Sequence, residues 1–149
     1  MTYVLGLSAF YHDSAAALLR NGQIVAAAQE ERFSRRKHDA RFPTAAVKAC
    51  LEKEGINLRD VKTIAFYEQP KLKLNRVIET FAAVAPNGIA AFKPAFKSWY
   101  TTRRDQEGRM LHCLRGIEDV SGLQNRLFYA EHLNSHAASA FYPSPFDAA

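Results

Sequence analysis

The sequence lacks the usual features of secreted and membrane proteins. It has only two cysteines, Cys50 and Cys113, which are far apart and not in a metal-binding spacing. We therefore expect two reduced, packed thiols, as in a cytoplasmic protein. No apolar run approaches the roughly 18–20 residues that a membrane span needs, and the first residues lack the basic and small-residue pattern of a signal peptide. These absences predict a cytoplasmic protein without a membrane segment.

Acidic residues are also fewer than basic ones, 15 against 20, which leaves a net charge of +5. This excess favours anionic partners. The basic residues form one turn-rich group and a looser second group: Arg32, Arg35, Arg36, Lys37 and Arg41, then Lys93, Lys97, Arg103 and Arg104. Such a group can be a solvated face, a phosphate clamp or a nucleic-acid surface. Glu30 and Glu31 neutralise part of the charge of the first group, which argues against a nucleic-acid arm.

At 149 residues, with 48% hydrophobic and 23% charged residues, the chain has the composition of one globular domain. Its last residues, 143–149, read as a loop leading into a further element. We therefore interpret the whole range 1–149 as the N-terminal, incomplete part of a domain in a longer protein.

Local patterns predict three short strands at 4–9, 15–20 and 23–28, because Asn21-Gly22 between apolar runs is a strong hairpin signal. A helix follows from Pro43-Thr44 and ends at Gly55.

Beyond this helix we predict a strand at 61–67, a helix around residues 74–81, a strand at 126–129 and a helix at 132–141. Residues 85–121 are harder to read. Pro86 and Pro94 break the pattern, which suggests short helices in an insertion. The order β-β-β-α-β, then helices, then β-α predicts an α/β fold with a mixed sheet. It suggests the ribonuclease-H-like half of the actin-like architecture.

Two histidines at helical spacing, His132 and His136, are the first candidate for chemistry. Residues four apart lie on one helix face, so both imidazoles can reach one metal ion. Leu133 stands where the zincin pattern needs glutamate, and at least one further ligand would have to come from elsewhere. The alternative is that both histidines only make hydrogen bonds near the helix start.

Two further segments carry polar groups suited to catalysis. His12 lies between the first two strands, where it is a candidate general base or a donor to an anion. The alternative is a simple polar turn. Lys37 lies in the basic group, where a lysine can act as a point charge on phosphate.

Together, LGLSAFYHDSAAAL at 5–18, EERFSRRKH at 30–38 and HLNSHAASAF at 132–141 resemble the O-carbamoyltransferases, which include nodulation-factor and antibiotic-tailoring enzymes. Members pair an actin-like domain with a second domain that makes carbamoyl-adenylate from carbamoyl phosphate and ATP. The actin-like domain then passes the carbamoyl group to a hydroxyl of a small-molecule acceptor.

The resemblance also implies roles for individual residues. His132 and His136 would bind a divalent metal, iron in the family, with aspartates further along the chain. His12 would lie against the carbamoyl group or the acceptor hydroxyl, and Lys37 against the substrate or phosphate. The adenylate-forming domain would lie beyond this chain, so the fragment alone is expected to be inactive.

Two other functions remain open. One is a tRNA threonylcarbamoyl-transfer enzyme or another actin-like nucleotide-binding protein, although the tRNA enzymes are expected to lack the segment at 30–38. The other is a non-catalytic nucleic-acid-binding module, whose affinity would fall steeply with salt.

Overall fold

The computed structural model describes residues 1–85, 87–102 and 105–148. They form two compact units. The first combines Met1–Glu68 with the segment that starts at Met110, and the second is Gln69–Arg109.

The first unit opens with three consecutive antiparallel strands, β1 (Tyr3–Ser8), β2 (Ala15–Arg20) and β3 (Gln23–Gln29). The backbone of Asn21 and Gly22 between β2 and β3 has φ values of 50° and 85°. Both are positive, as a type I′ turn requires. The predicted hairpin is confirmed, with strand ends shifted by one residue.

Two more strands extend the sheet on the other side of β1. They are β4 (Val61–Phe66), which is parallel to β1, and β5 (Leu127–Tyr129), which is parallel to β4. The strand order is β3-β2-β1-β4-β5. The predicted α/β class and mixed sheet, with three antiparallel strands followed by β-α units, are therefore confirmed. Parallel strands end at the same edge of a sheet, so the segments after β1, β4 and β5 meet there.

The helix α2 (Thr44–Glu54) connects the antiparallel part of the sheet to β4 and packs on β2 and β3. It ends at Gly55, whose φ of 64° is left-handed, as predicted for a C-terminal glycine. Its apolar face joins the main core, where Leu18 and Ile64 have no exposed surface. Burying each such side chain contributes about 1.5–3 kcal/mol before entropy is counted.

A one-turn helix, α1 (Glu31–Ser34), lies inside the basic segment that we predicted to be rich in turns. The first unit also contains a 3-10 turn at Leu58–Asp60, most of α5 (Gln106–Arg115) and a second 3-10 turn at Leu123–Arg126. It continues into α6 (His132–Phe141), which has the bounds that the sequence predicts.

The second unit contains the helices α3 (Pro70–Val84) and α4 (Ile89–Thr102). Pro94 lies inside α4, so the expectation that it breaks the pattern was wrong. This unit overlaps the predicted insertion at 85–121 but begins and ends earlier. Whether it is an insertion stays a prediction. Within the described residues, no helix combines the length and the apolar character needed to cross a membrane.

Candidate functional site

The candidate site lies where β1, β4 and β5 end. The segment after β1 carries His12, and the segment after β5 leads directly into His132 at the start of α6. Only β4 separates β1 from β5. Two strand spacings of about 4.8 Å place them roughly 10 Å apart in the sheet. The topology therefore brings two distant sequence motifs to one edge.

The loop after β1 is held against the segment after α1 by three hydrogen bonds. The Phe10 amide donates to the carbonyl of Ala40 (2.8 Å), and the Ser14 amide donates to the carbonyl of Asp39 (2.9 Å). The Ser14 hydroxyl donates to the carbonyl of Arg41. We call these two segments, residues 9–14 and 35–41, the paired loops.

The paired loops contain four non-glycine residues with left-handed backbone: Phe10, Asp13, Arg35 and His38. A left-handed conformation costs a residue with a Cβ about 1–2 kcal/mol, so the surrounding contacts must hold these residues in place. Strain of this kind is concentrated at functional sites in proteins. It marks the paired loops as a constrained part of the surface.

One carboxylate joins the two loops. Asp13 Oδ2 lies 2.9 Å from His12 Nδ1, and Asp13 Oδ1 lies 2.8 Å from His38 Nδ1. The hydrogen bond from His38 is the main reason why the pKa of Asp13 is lowered; burial opposes this effect, and the hydrogen bond from His12 adds to it. The side chains of His12 and His38 are 60% and 64% exposed, so a ligand can reach both rings.

Lys37, the predicted substrate or phosphate contact, is exposed and directly precedes His38. The structure therefore places His12 and Lys37 on the two members of the paired loops. Sequence reasoning missed the contact of His38 with Asp13. The two residues are 25 positions apart, and a histidine at the end of a basic group gives no signal of such a partner.

The predicted metal pair lies on one face of α6. His132 Nε2 and His136 Nε2 are 3.1 Å apart, with the ring planes nearly perpendicular. With metal–nitrogen distances of about 2.0–2.1 Å, this separation corresponds to an angle of about 100° at a shared ion. The same distance fits a hydrogen bond between neutral rings. The geometry suits two ligands of one ion, and metal binding itself stays a prediction.

Contacts with the end of β4 position α6. The Ala130 amide donates to the carbonyl of Phe66 (2.8 Å), and the Ser135 hydroxyl donates to the carbonyl of Tyr67 (3.2 Å). The Tyr67 and His132 rings are 5.6 Å apart. No third histidine, cysteine, aspartate or glutamate joins the pair in a metal-binding group within the described ranges. That further ligands come from beyond these residues stays a prediction.

Part of the basic group is neutralised. Arg41 makes a two-point contact with Asp39, through Nε (2.9 Å) and a terminal nitrogen (2.6 Å). An Arg32 terminal nitrogen lies 3.9 Å from a Glu31 carboxylate oxygen. In the second basic group, Lys93 and Lys97 are exposed on α4, whereas residues 103 and 104 lie outside the described residues. Cys50 is buried, as expected of a packed thiol, and Cys113 is partly buried.

Replacing Asp39 by asparagine is expected to change how stability depends on pH. Hydrogen bonds from Arg41 and then Ser34 hold the pKa of Asp39 far below its ordinary value of 3.8. A carboxyl with a depressed folded pKa contributes stability that is complete above the unfolded pKa and is lost as the pH falls toward the folded pKa. Urea unfolding from pH 7 to pH 2 should therefore show a gap between wild type and Asp39→Asn that shrinks below about pH 4. A constant gap would contradict this account. The exposed Asp119→Asn is the control.

Glu30 holds the start of α2 against the end of β3. Its side chain is nearly buried and accepts from the amides of Ala45 (3.2 Å) and Ala46 (2.9 Å). Its own amide donates to the carbonyl of Ser14 (2.8 Å), so it also supports the paired loops. A negative group at a helix N-terminus satisfies amides that have no partner within the helix.

Glu30→Ala is expected to lower the free energy of unfolding by about 2–3 kcal/mol, because one buried and one partly buried amide lose a charged acceptor. Glu30→Gln keeps one acceptor and should lose about half as much. The exposed Glu52→Ala on the same helix is the matched control and should change stability by less than about 0.5 kcal/mol. Urea denaturation measures all three. Equal effects of Glu30→Ala and Glu52→Ala would remove Glu30 from this role.

Comparison with known proteins gives a consistent family match. The family model described as "Carbamoyltransferase N-terminus" matches residues 3–149. The uncharacterized protein sll1178 of Synechocystis is 47% identical over 150 residues, covering all of this chain and 24% of that protein. Nodulation protein NolNO of Sinorhizobium fredii is 47% identical over 58 residues, covering 39% of this chain and 8% of that protein.

The chain therefore spans about a quarter of the length of sll1178, the relative that it matches over its whole length. Among solved structures, YeaZ from Pseudomonas aeruginosa has a TM-score of 0.46 at 17% identity, covering 88% of this chain and 44% of that chain.

Proposed function

The chain belongs to the carbamoyltransferase family, whose N-terminal model spans it almost completely, and from this we propose that it is the N-terminal part of an O-carbamoyltransferase. The proposed reaction moves a carbamoyl group from carbamoyl-adenylate to a hydroxyl of a small-molecule acceptor. We further propose that the sheet is half of an actin-like domain. The rest of that domain and the domain that makes carbamoyl-adenylate from carbamoyl phosphate and ATP would lie in a longer protein.

The observation that supports this proposal best is the meeting of separate motifs at one sheet edge. His12 follows β1, and the pair His132 and His136 follows β5, with β4 alone between the two strands. A nucleotide-bound acyl group needs both a base for the attacking hydroxyl and positive charge near the phosphate. Ligands of α/β sheets commonly bind at the carboxyl ends of the strands.

In the proposed reaction His12 is the base, and the acceptor and carbamoyl-adenylate are the only reactants. The acceptor oxygen attacks the carbamoyl carbon, and His12 Nε2 takes the hydroxyl proton as the new carbon–oxygen bond forms. The bond from that carbon to the phosphate oxygen then breaks, and AMP leaves with the electron pair. Lys37 on the neighbouring loop would place one positive charge against the phosphate or the substrate.

His132 and His136 would hold a divalent metal, proposed to be iron, whose charge would make the nucleotide phosphate a better leaving group. Their 3.1 Å nitrogen separation fits two ligands of one ion. Neutral imidazole also suits zinc, copper and nickel, so the chain's own residues do not select iron.

An assay with carbamoyl phosphate, ATP and a panel of hydroxyl compounds tests the proposal. Mass spectrometry should detect carbamoylated acceptor and AMP only when both carbamoyl phosphate and ATP are present, and only with the longer protein that carries this chain. Absence of any carbamoylated product across the panel, with AMP formation intact, would contradict transfer to hydroxyls. Transfer by the 149-residue chain alone would contradict its incompleteness.

A further inference from the structure

We propose that Asp13 and His38 are positioning residues that hold His12 with a proton on Nδ1 and with Nε2 directed away from Asp13 as the acceptor. This inference rests on the proposed function, since it explains how His12 could act as the base there. It assigns a role to two residues that neither the motif comparison nor the histidine spacing singles out.

The carboxylate of Asp13 determines which ring nitrogen of each histidine carries the proton. An ionised carboxylate has only acceptor oxygens, so any ring nitrogen in contact with it must donate. Asp13 contacts Nδ1 of His12 at 2.9 Å and Nδ1 of His38 at 2.8 Å, each through a different oxygen. Both rings therefore carry their proton on Nδ1. In the neutral ring the other nitrogen, Nε2, then has a free lone pair.

The left-handed backbone of Asp13 brings its carboxylate against the ring of the preceding residue, His12. In an extended chain, neighbouring side chains point to opposite sides, so Asp13 and His12 would not meet. Asp13 has a left-handed φ of 48°, which turns the chain and lets consecutive side chains make contact. Aspartate adopts this conformation more readily than most residues with a Cβ, and the hydrogen bonds from His12 and His38 help to hold it. The left-handed turn at Asp13 therefore accompanies its contact with His12.

Hydrogen bonds hold His38 in the second of the paired loops, residues 35–41. His38 also has a left-handed backbone, with a φ of 55°, and its amide donates to Glu31 Oε2 at 3.2 Å. The next residue, Asp39, accepts from the Ser14 amide, directly beside Asp13. His38 is therefore fixed at its backbone and can fix Asp13 through its ring. Without His38, one oxygen of a 37%-exposed carboxylate would be left to water.

Several other charged groups lie in or beside the paired loops, and the variants that test the proposal must leave them unchanged. They are Glu31 with Arg32, Lys37, and the Asp39–Arg41 pair. None of them is changed in the variants below. His12 would be the base, Asp13 the carboxylate that orients it, and His38 a further donor to that carboxylate. In hydrolytic triads a carboxylate orients the histidine base in the same way.

The tautomers can be read directly from long-range proton–nitrogen NMR spectra of the longer protein that carries this chain, labelled with 15N-histidine, at neutral pH. We expect His12 and His38 as Nδ1–H forms, and His112, exposed on α5, as the internal reference. In Asp13→Asn, His12 should lose its preference for the Nδ1–H form. His38→Asn, which can still donate near the Nδ1 position, should preserve it. A wild-type His12 protonated on Nε2, or one unaffected by Asp13→Asn, would overturn the inference.

A second arm measures transfer by the longer protein. Asp13→Asn should lower kcat roughly 10- to 100-fold with little change in KM, because the base is misaligned while the binding groups remain. His38→Ala should lower kcat about 10-fold, and His38→Asn should restore it to within about 3-fold of wild type.

The two arms separate the two proposals. If wild type transfers no carbamoyl group while His12 shows the Nδ1–H form that Asp13→Asn abolishes, the proposed function fails and the positioning stands. If wild type is active and Asp13→Asn leaves kcat unchanged, the positioning inference fails and the proposed function stands.

Discussion

Replacing His12 by alanine is expected to lower kcat for carbamoyl transfer by about 10²- to 10⁴-fold, the contribution usual for a positioned general base. The acceptor hydroxyl is a weak nucleophile, and without His12 its proton must go to water. KM should change little, since Lys37 and the proposed metal pair would still bind the nucleotide. Steady-state kinetics of the longer protein under saturating carbamoyl phosphate and ATP measure this effect.

The control for this substitution is His112→Ala, which removes an exposed imidazole on α5. It should leave kcat and KM as in wild type. Circular dichroism and the urea midpoint should show that His12→Ala is folded, because the His12 side chain is 60% exposed. A folded His12→Ala protein with undiminished kcat would remove His12 from the chemistry.

Replacing either His132 or His136 by alanine is expected to weaken binding of a divalent metal by about 100-fold or more. Loss of an outer partner of a metal ligand already costs 10- to 100-fold, and loss of a ligand itself costs at least as much. Because the two Nε2 atoms are 3.1 Å apart, both rings would bind the same ion, and loss of either ring would remove one of its ligands. Calorimetric titration of the longer protein with Zn²⁺, Co²⁺ and Fe²⁺ measures the affinity.

The double variant gives a sharper test of a shared ion. If both rings bind one metal, replacing the second after the first should cost far less than replacing either alone, because the site is already lost. Independent, additive losses would indicate two separate weak sites. His112→Ala again serves as the matched histidine control, and its metal affinity should equal that of wild type.

Much of the fold follows from local signals. Asn21-Gly22 predicts the β2–β3 hairpin because both residues must adopt positive φ, and both do. Gly55 predicts the end of α2 for the same reason. These positions can be predicted from the sequence because the turn and the helix end require positive φ, which glycine and asparagine adopt more easily than other residues.

Pro94 shows where a local rule fails. A proline inside a helix costs about 3 kcal/mol, which reads as a break when the sequence is considered alone. In α4 the ring of Phe92 stacks on both Phe81 of α3 and Phe96. Aromatic pairs contribute about 0.5–1.5 kcal/mol each beyond their buried area, so packing can offset much of the cost. Contacts between helices are not visible in a local pattern.

The candidate site divides in the same way. The His132 and His136 pair is predictable because helical spacing places residues four apart on one face. The contact of Asp13 with His38 is not predictable, because it depends on hydrogen bonds between two loops and on left-handed residues that are not glycine. Local spacing finds a site on one helix, whereas a site shared by loops requires the tertiary structure.

The left-handed residues of the paired loops imply a conflict between thermostability and activity in this part of the molecule. Glycine at Phe10, Arg35 or His38 would relieve steric strain, yet it would also enlarge the set of shapes open to the unfolded chain and to the loop itself. A screen for heat resistance would therefore discover glycines here only where the relief of strain exceeds that entropic loss. At His38 glycine would also remove the ring that contacts Asp13, so evolution toward hotter conditions should reinforce the sheet and leave these loops strained.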